Sequence, residues 1–198
     1  MKNPSPNILT KIPSTTTPES GVVTDFLISK CGLTDEDIIK GFRHCNGLLH
    51  LKSTHNMEVV LELLKACGLT TPAEVRRVVL CNPMLLFDRS ERSVKSKLSF
   101  LRTFIKEEYI SKLVINDAKI FDAKEDTLKS ATSLSLRLDF QGKALSHLVA
   151  KQPRLLKISE EKVLELFKQI ENLGIKKGSK SFGIVVSMFL NLGKETLK

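Results

Sequence analysis

The sequence predicts an all-α fold: a right-handed-type helical-repeat solenoid of about four and a half units, each roughly 35 residues long. Two observations carry this expectation. Apolar residues recur with helical spacing from Val22 onward, and the whole pattern returns along the chain at a nearly fixed interval. Composition agrees, since Leu, Ile, Val, Lys and Glu prevail away from the places where Gly and Pro cluster, aromatic residues make up 6% and Trp is absent.

The best-formed unit lies between Cys67 and Phe104. Thr71 precedes Pro72 and Glu74 follows, so an N-cap, a first-turn proline and a capping-box carboxylate coincide, and a helix starts at Pro72. Val75, Val78 and Val79 form its buried stripe, and the helix must end before Pro83. Leu85 and Leu86 occupy a short apolar turn, after which Val94, Leu98, Leu101 and Ile105 make the stripe of a second helix. The unit therefore reads helix, Pro-x-Leu-Leu turn, helix.

With Pro83 as marker, Asn46, Ala118 and Pro153 take the same place in the other units, at separations of 37, 35 and 35 residues. Independent columns support the register. Two and three residues after the marker stand Leu48-Leu49, Leu85-Leu86, Ile120-Phe121 and Leu155-Leu156. Eight before it stand Ile38, Val75, Ile110 and Leu145, and four before it Phe42, Val79, Val114 and Val149. Every member is apolar. The boundaries repeat as well: Cys31-Gly32-Leu33-Thr34 and Cys67-Gly68-Leu69-Thr70 are one tetrapeptide, with Leu173-Gly174-Ile175 a third version, as expected where helices end on a left-handed glycine. Thr34 with Asp37 repeats the capping box. The stretch from Ile175 to Lys198 begins a further unit, through Phe182, Ile184, Val185, Met188, Phe189 and Leu190, and stops where its second helix is due, which predicts a poorly covered apolar helix.

At 198 residues the chain is long enough for one sizeable domain, placed at residues 22–198. Residues 1–21 are set apart: the first 18 contain two Lys, four Pro, several Ser and Thr and no acid, which suits either a disordered tail or part of an organelle transit segment. No apolar run is long enough to span a membrane, and the longest, from Gly183 to Leu190, is interrupted by Ser187. The balance of 31 basic against 22 acidic residues, a formal charge of +9, biases the molecule towards polyanions. The four cysteines do not form the dense framework of a disulfide-stapled module.

The segments Phe26-Leu27 to Leu33, Asn82-Pro83-Met84-Leu85-Leu86, Leu98-Ser99-Phe100-Leu101 and Gln152-Pro153-Arg154-Leu155-Leu156 resemble the repeat of the mitochondrial transcription termination factor (mTERF) family over roughly residues 22–192. The plant members are the nearest in appearance, and against them the chain is short or truncated. Asn46 and Ala118 depart from the motif proline without breaking the apolar columns. The resemblance implies a helical solenoid with a concave basic face that binds double-stranded nucleic acid, DNA or structured RNA, in a chloroplast or mitochondrion. It further implies control of transcription termination, transcript processing or splicing.

The repeat register also proposes contact residues without reference to any family. Six residues before the marker stand Lys40, Arg77, Lys112 and His147; six after it stand Lys52, Arg89, Lys124 and Ser159. One cation per unit is an efficient way to follow a phosphate backbone, although exposed helix faces carry Lys and Arg in any case, so each column reads either as a contact ridge or as a solvated face. Lys95, Arg102 and Lys106 form a further basic edge beside the apolar stripe of one second helix. The corresponding helix of the fourth unit carries Glu160, Glu161, Glu165 and Glu171 instead.

No metal or cofactor is expected. Cys31 to Cys45 and Cys67 to Cys81 are each 14 apart with no C-x-x-C pair, and His44, His50 and His55 do not complete a ligand spacing. Nucleophile elbow, Walker loop, zincin and dinucleotide motifs are missing, while Asp35-Glu36-Asp37 and Glu160-Glu161 sit in first helical turns, where the helix dipole favours negative charge. The expectation is a non-enzymatic nucleic-acid-binding protein with no small-molecule substrate and no membrane partner. The competing expectations are a protein-protein adaptor, with a partner or second copy over Phe182 to Leu190, and an inactive truncated product.

Overall fold

The computed structural model describes residues 21–43, 49–87, 91–124, 126, 128 and 142–196. The proposed tail or transit segment, apart from Gly21, lies outside them, as do Asn46 and Leu48. The elements in chain order are α1 (Val22–Cys31), α2 (Asp35–Gly41), α3 (His55–Ala66), α4 (Pro72–Cys81), α5 (Met84–Phe87), α6 (Glu91–Arg102) and α7 (Glu107–Asn116). A 3-10 helix η1 (Ala118–Asp122) follows, then α8 (Gly142–Lys151), a second 3-10 helix η2 (Pro153–Lys157), α9 (Glu160–Asn172) and α10 (Lys180–Thr196). There is no strand among the described residues.

Helix starts follow the local chemistry. In α4 the Glu74 N–H donates to Thr71 Oγ1 at 3.3 Å and the Thr71 N–H to Glu74 Oε2 at 3.0 Å, a complete capping box ahead of Pro72. Thr34 and Asp37 do the same for α2, at 3.2 and 2.9 Å. Helix ends use glycine: Gly32, Gly68 and Gly174 have φ of 70°, 94° and 76°. At Gly32 a side chain would meet a second obstacle, because an added Cβ would stand 3.2 Å from Pro72 Cβ on the neighbouring helix.

The break between first helix and apolar turn is the same whether or not a proline follows. Asn82, Asp117 and Gln152, the residues just before the markers, adopt φ/ψ of −143°/80°, −155°/85° and −128°/69°. Before Pro83 and Pro153 the proline ring disfavours helical geometry at this residue. Before Ala118 the carboxylate of Asp117 takes over, accepting the Lys119 N–H at 3.1 Å and so starting η1. The turn itself is a short α-helix at Met84–Phe87 and a 3-10 helix in the two later units.

The apolar columns form the core. Ile38, Val75 and Ile110 are buried, as are Phe42, Val79, Val114 and Val149, and the paired turn residues Leu85-Leu86, Ile120-Phe121 and Leu155-Leu156; Leu145 and Leu49 are half-buried. One buried cluster runs from Val23 to Leu128 and takes in Val149, Ala150 and Leu156; a second joins Leu148, Leu155, Val163, Phe167, Ile170, Phe182 and Val186. Leu145 on α8 touches both. First helices stack on first helices, α4 on α7 and α7 on α8, and second helices on second helices, α3 on α6.

Polar side chains tie each unit to the next at one repeat interval. Asn82 Nδ2 donates to the Ala118 carbonyl at 3.4 Å and to Asp122 Oδ2 at 3.0 Å. Asn116 Nδ2 donates to the Ala150 carbonyl at 2.8 Å, Gln152 Nε2 to Ser187 Oγ at 2.7 Å and Arg154 Nη1 to the Leu190 carbonyl at 3.0 Å. The Lys157 ammonium pairs with Asp117, and the Arg76 guanidinium with Asp37 at 2.7 Å. Buried Ser146 accepts the Lys106 N–H at 3.0 Å, closing the start of α7 onto α8.

Candidate nucleic-acid interface

The column six residues before the markers lies on the first helices, one residue each on α2, α4, α7 and α8, and Lys40, Arg77, Lys112 and His147 are all exposed. The four helices are neighbours. Arg76 reaches from α4 to Asp37 on α2, and α4, α7 and α8 pack in succession. Because these positions are equivalent in each unit, stacking places them along one side of the row.

The four do not start from the same state. Arg77 makes no ion pair among the described residues. Lys40 lies 2.5 Å from Glu36, with both side chains 74% exposed, a pairing that solvent and salt weaken to at most about 1 kcal/mol. Lys112 and His147 converge on Tyr109, the chain's single tyrosine: the Lys112 Nζ stands 5.7 Å from the ring centroid, and the His147 ring meets its edge with centroids 6.0 Å apart. The cation is held over the negative face of the ring while its head stays exposed to solvent.

Of the second column, Lys52 and Lys124 are exposed and Arg89 lies outside the described residues. Lys52 lies two residues before Thr54, the N-cap of α3, and Ser159 is the N-cap of α9. A cation near the start of a helix adds to the positive end of its dipole, and at α3 Glu58 opposes that effect from within the first turn.

The third set is partly engaged in structure. Lys95 pairs with Glu91 one turn away. Arg102 closes a two-pronged pair with Glu107, Nε at 2.7 Å and Nη2 at 2.8 Å, and its Nη2 also faces the buried Cys67 Sγ at 3.9 Å. The carboxylate raises the guanidinium pKa further, and Arg102 in turn lowers that of Glu107. This clamp fixes the turn between α6 and α7, leaving Lys106 exposed at the N-cap of α7.

Two features of the site were not read from spacing. Tyr109 carries no repeat signal; its cue was the offset of three residues to Lys112, which puts both on one helix face. The polar residue before each marker, Asn82, Asp117 or Gln152, differs in type from unit to unit and so forms no column of like residues. Cys31 and Cys67 are buried core residues, and burial pushes the Cys31 thiol up to about 12. Among the described residues, no three His, Cys, Asp or Glu side chains converge as a metal site, and no helix is long and apolar enough to cross a membrane.

Stacked helix pairs, a repeated apolar turn and a row of exposed cations define a helical-repeat protein. The sequence profile of the mTERF family matches residues 5–114, more than half of the chain, and the chain belongs to that family. Comparison with curated proteins gives no significant match. The unit described above continues past the matched segment, through the joints from Asn116 to Ala150 and from Gln152 to Ser187.

Proposed function

We propose that this chain is a non-catalytic double-stranded nucleic-acid-binding protein that regulates gene expression in a chloroplast or mitochondrion, through transcription termination, transcript processing or splicing. Membership of the mTERF family supports nucleic-acid binding and an organellar setting. The observation that carries the reading in this chain is the exposed row of Lys40, Arg77, Lys112 and His147 on successive first helices. The reading includes a right-handed-type solenoid of about four and a half units, with one member of this row in each complete unit, Lys or Arg in the first three and His147 in the fourth.

Helices in contact pack about 8–10 Å apart, so neighbouring members of the row are spaced on the scale of nearby phosphates of one strand. Such contacts position a duplex without reading its bases. The test is binding of duplex DNA, duplex RNA and single strands over a salt series. Duplex binding that weakens steeply with salt is the expected result. Affinity that is absent at low salt, or unchanged between low and moderate salt, overturns the proposal.

A further inference from the structure

The first helices α7 and α8 lie closely against one another, whereas α8 and α10 approach less closely, and a groove of about 370 Å³ opens between them. Its apolar floor is formed by Ala144, Leu148 and Phe182, and its rim by His147, Lys151 and Lys180. Among the described residues, no acidic side chain lines it. Lys151 and Lys180 make no ion pair among the described residues, and α10 begins on Lys180 with no acid in its first turn, so its positive end is capped by the neutral Ser179 hydroxyl, which accepts the Phe182 N–H at 3.1 Å, and is offset by no carboxylate of that turn.

The outer face of α10 extends the apolar surface. Phe182 and Val186 turn inward, Phe182 against Phe167 with ring centroids 4.9 Å apart, whereas Ile184 and Met188, one turn from each other, are 61% and 55% exposed. From Ser179 to Ser187 the lining of the groove follows about two helical turns, some 12 Å. That length matches the i, i+3, i+4, i+7 anchors of a helix laid in a groove.

We infer that the α8–α10 groove docks an amphipathic helix of a protein partner, its apolar stripe seated against Leu148, Ile184 and Met188 and its flanking carboxylates against Lys151 and Lys180. The chemistry selects this occupant. A nucleic-acid backbone satisfies the cations but leaves Ile184 and Met188 in water, and a helix without acids covers the apolar stripe but leaves the cations unanswered. The inference does not depend on the row of first-helix cations, of which it shares only His147.

The experiment uses the full chain and labelled synthetic helical peptides of about 18 residues, with leucines at i, i+3, i+4, i+7 and i+11 and flanks of glutamate in one and lysine in the other. The expected result is saturable anisotropy with the glutamate peptide alone. It weakens at least about tenfold, or 1.4 kcal/mol, in Lys151→Glu/Lys180→Glu and in Ile184→Ser/Met188→Ser. All four positions are exposed, and thermal unfolding of each variant verifies that it folds. Equal binding of the two peptides, no binding of either, or binding indifferent to these variants overturns the inference. So does self-association that Ile184→Ser abolishes while the peptide stays unbound, which assigns the face to a second copy. Duplex binding is measured on the same variants: loss of duplex binding in the charge-reversed pair, without peptide binding, assigns the rim to nucleic acid and also overturns it.

Discussion

Neutralising Arg77 and Lys112 together, as Arg77→Gln and Lys112→Gln, isolates the contribution of the first-helix row. Neither change disturbs the fold appreciably: both side chains are exposed, Arg77 has no ion pair among the described residues, and Lys112 gives up only an exposed contact to Tyr109, about 0.5–1 kcal/mol. If each residue engages one phosphate, each contributes about 0.9 to the slope of log K against log salt, so the double variant has a slope shallower by about 1.8. Over a fourfold rise in salt, wild type then loses about twelvefold more affinity than the variant. Fluorescence titrations of a labelled duplex at four or five salt concentrations measure this directly. The control is Lys162→Gln/Lys168→Gln, two exposed lysines of α9 outside every cation column. A double variant whose slope equals that of wild type, or a control pair whose slope falls as much, refutes a contact role for the row. Single variants rank the members: Arg77, with no ion pair among the described residues, has the larger effect, and Lys40 the smaller, because recruiting it breaks its pair with Glu36.

Gly32→Ala destabilises the fold by more than the roughly 1–2 kcal/mol of forcing a left-handed conformation, because its Cβ would press on Pro72; Gly174→Ala, with nothing within 4 Å, shows the conformational penalty alone. Urea midpoints of the two variants should differ in that order. Gly183→Ala raises stability by about 0.5–1 kcal/mol and Tm by a few degrees, since helical propensity improves and the new methyl meets only Leu148 Cδ1 at 3.9 Å. Asp37 is held down to about 2 by the Arg76 guanidinium and the Thr34 N–H, below its unfolded value near 3.9, so its contribution is fully present above about pH 4 and is lost as pH falls towards 2. Denaturation at stepped pH should find Asp37→Asn less stable than wild type near neutrality and the two converging across that window.

Much of the architecture was legible because short-range chemistry fixes it. Thr71, Pro72 and Glu74 specify a helix start within four residues, and Gly32 and Gly68 specify ends by a conformation that side chains resist. The turn at Ala118 looked degenerate by comparison with Pro83, yet it has the same backbone break, because the carboxylate of Asp117 substitutes for a ring. A pattern search weighs residue types, whereas the backbone responds to any group that disfavours helix at that point. The division of the core at α8 and the groove beside it were not legible, since they depend on how closely neighbouring helices approach. Of the candidate interface, the placement of one exposed basic residue on each first helix was readable from the register, but the contact of Tyr109 with His147 joins residues 38 apart that no column aligned.

The joints at Asn82, Asn116 and Gln152 each span a single interval of 34 to 36 residues. Rotation at such a joint is opposed only by the two units it connects, so a small change of pitch can be taken up at one junction and repeated at the next, much as a chain of hinged links conforms to a shaft. A long, regular ligand is then followed by many slight adjustments, with no single large rearrangement. At the last described junction, from α8 to α10, the same role falls to Gln152 on Ser187 and Arg154 on the Leu190 carbonyl, with the groove beside them leaving room for such an adjustment.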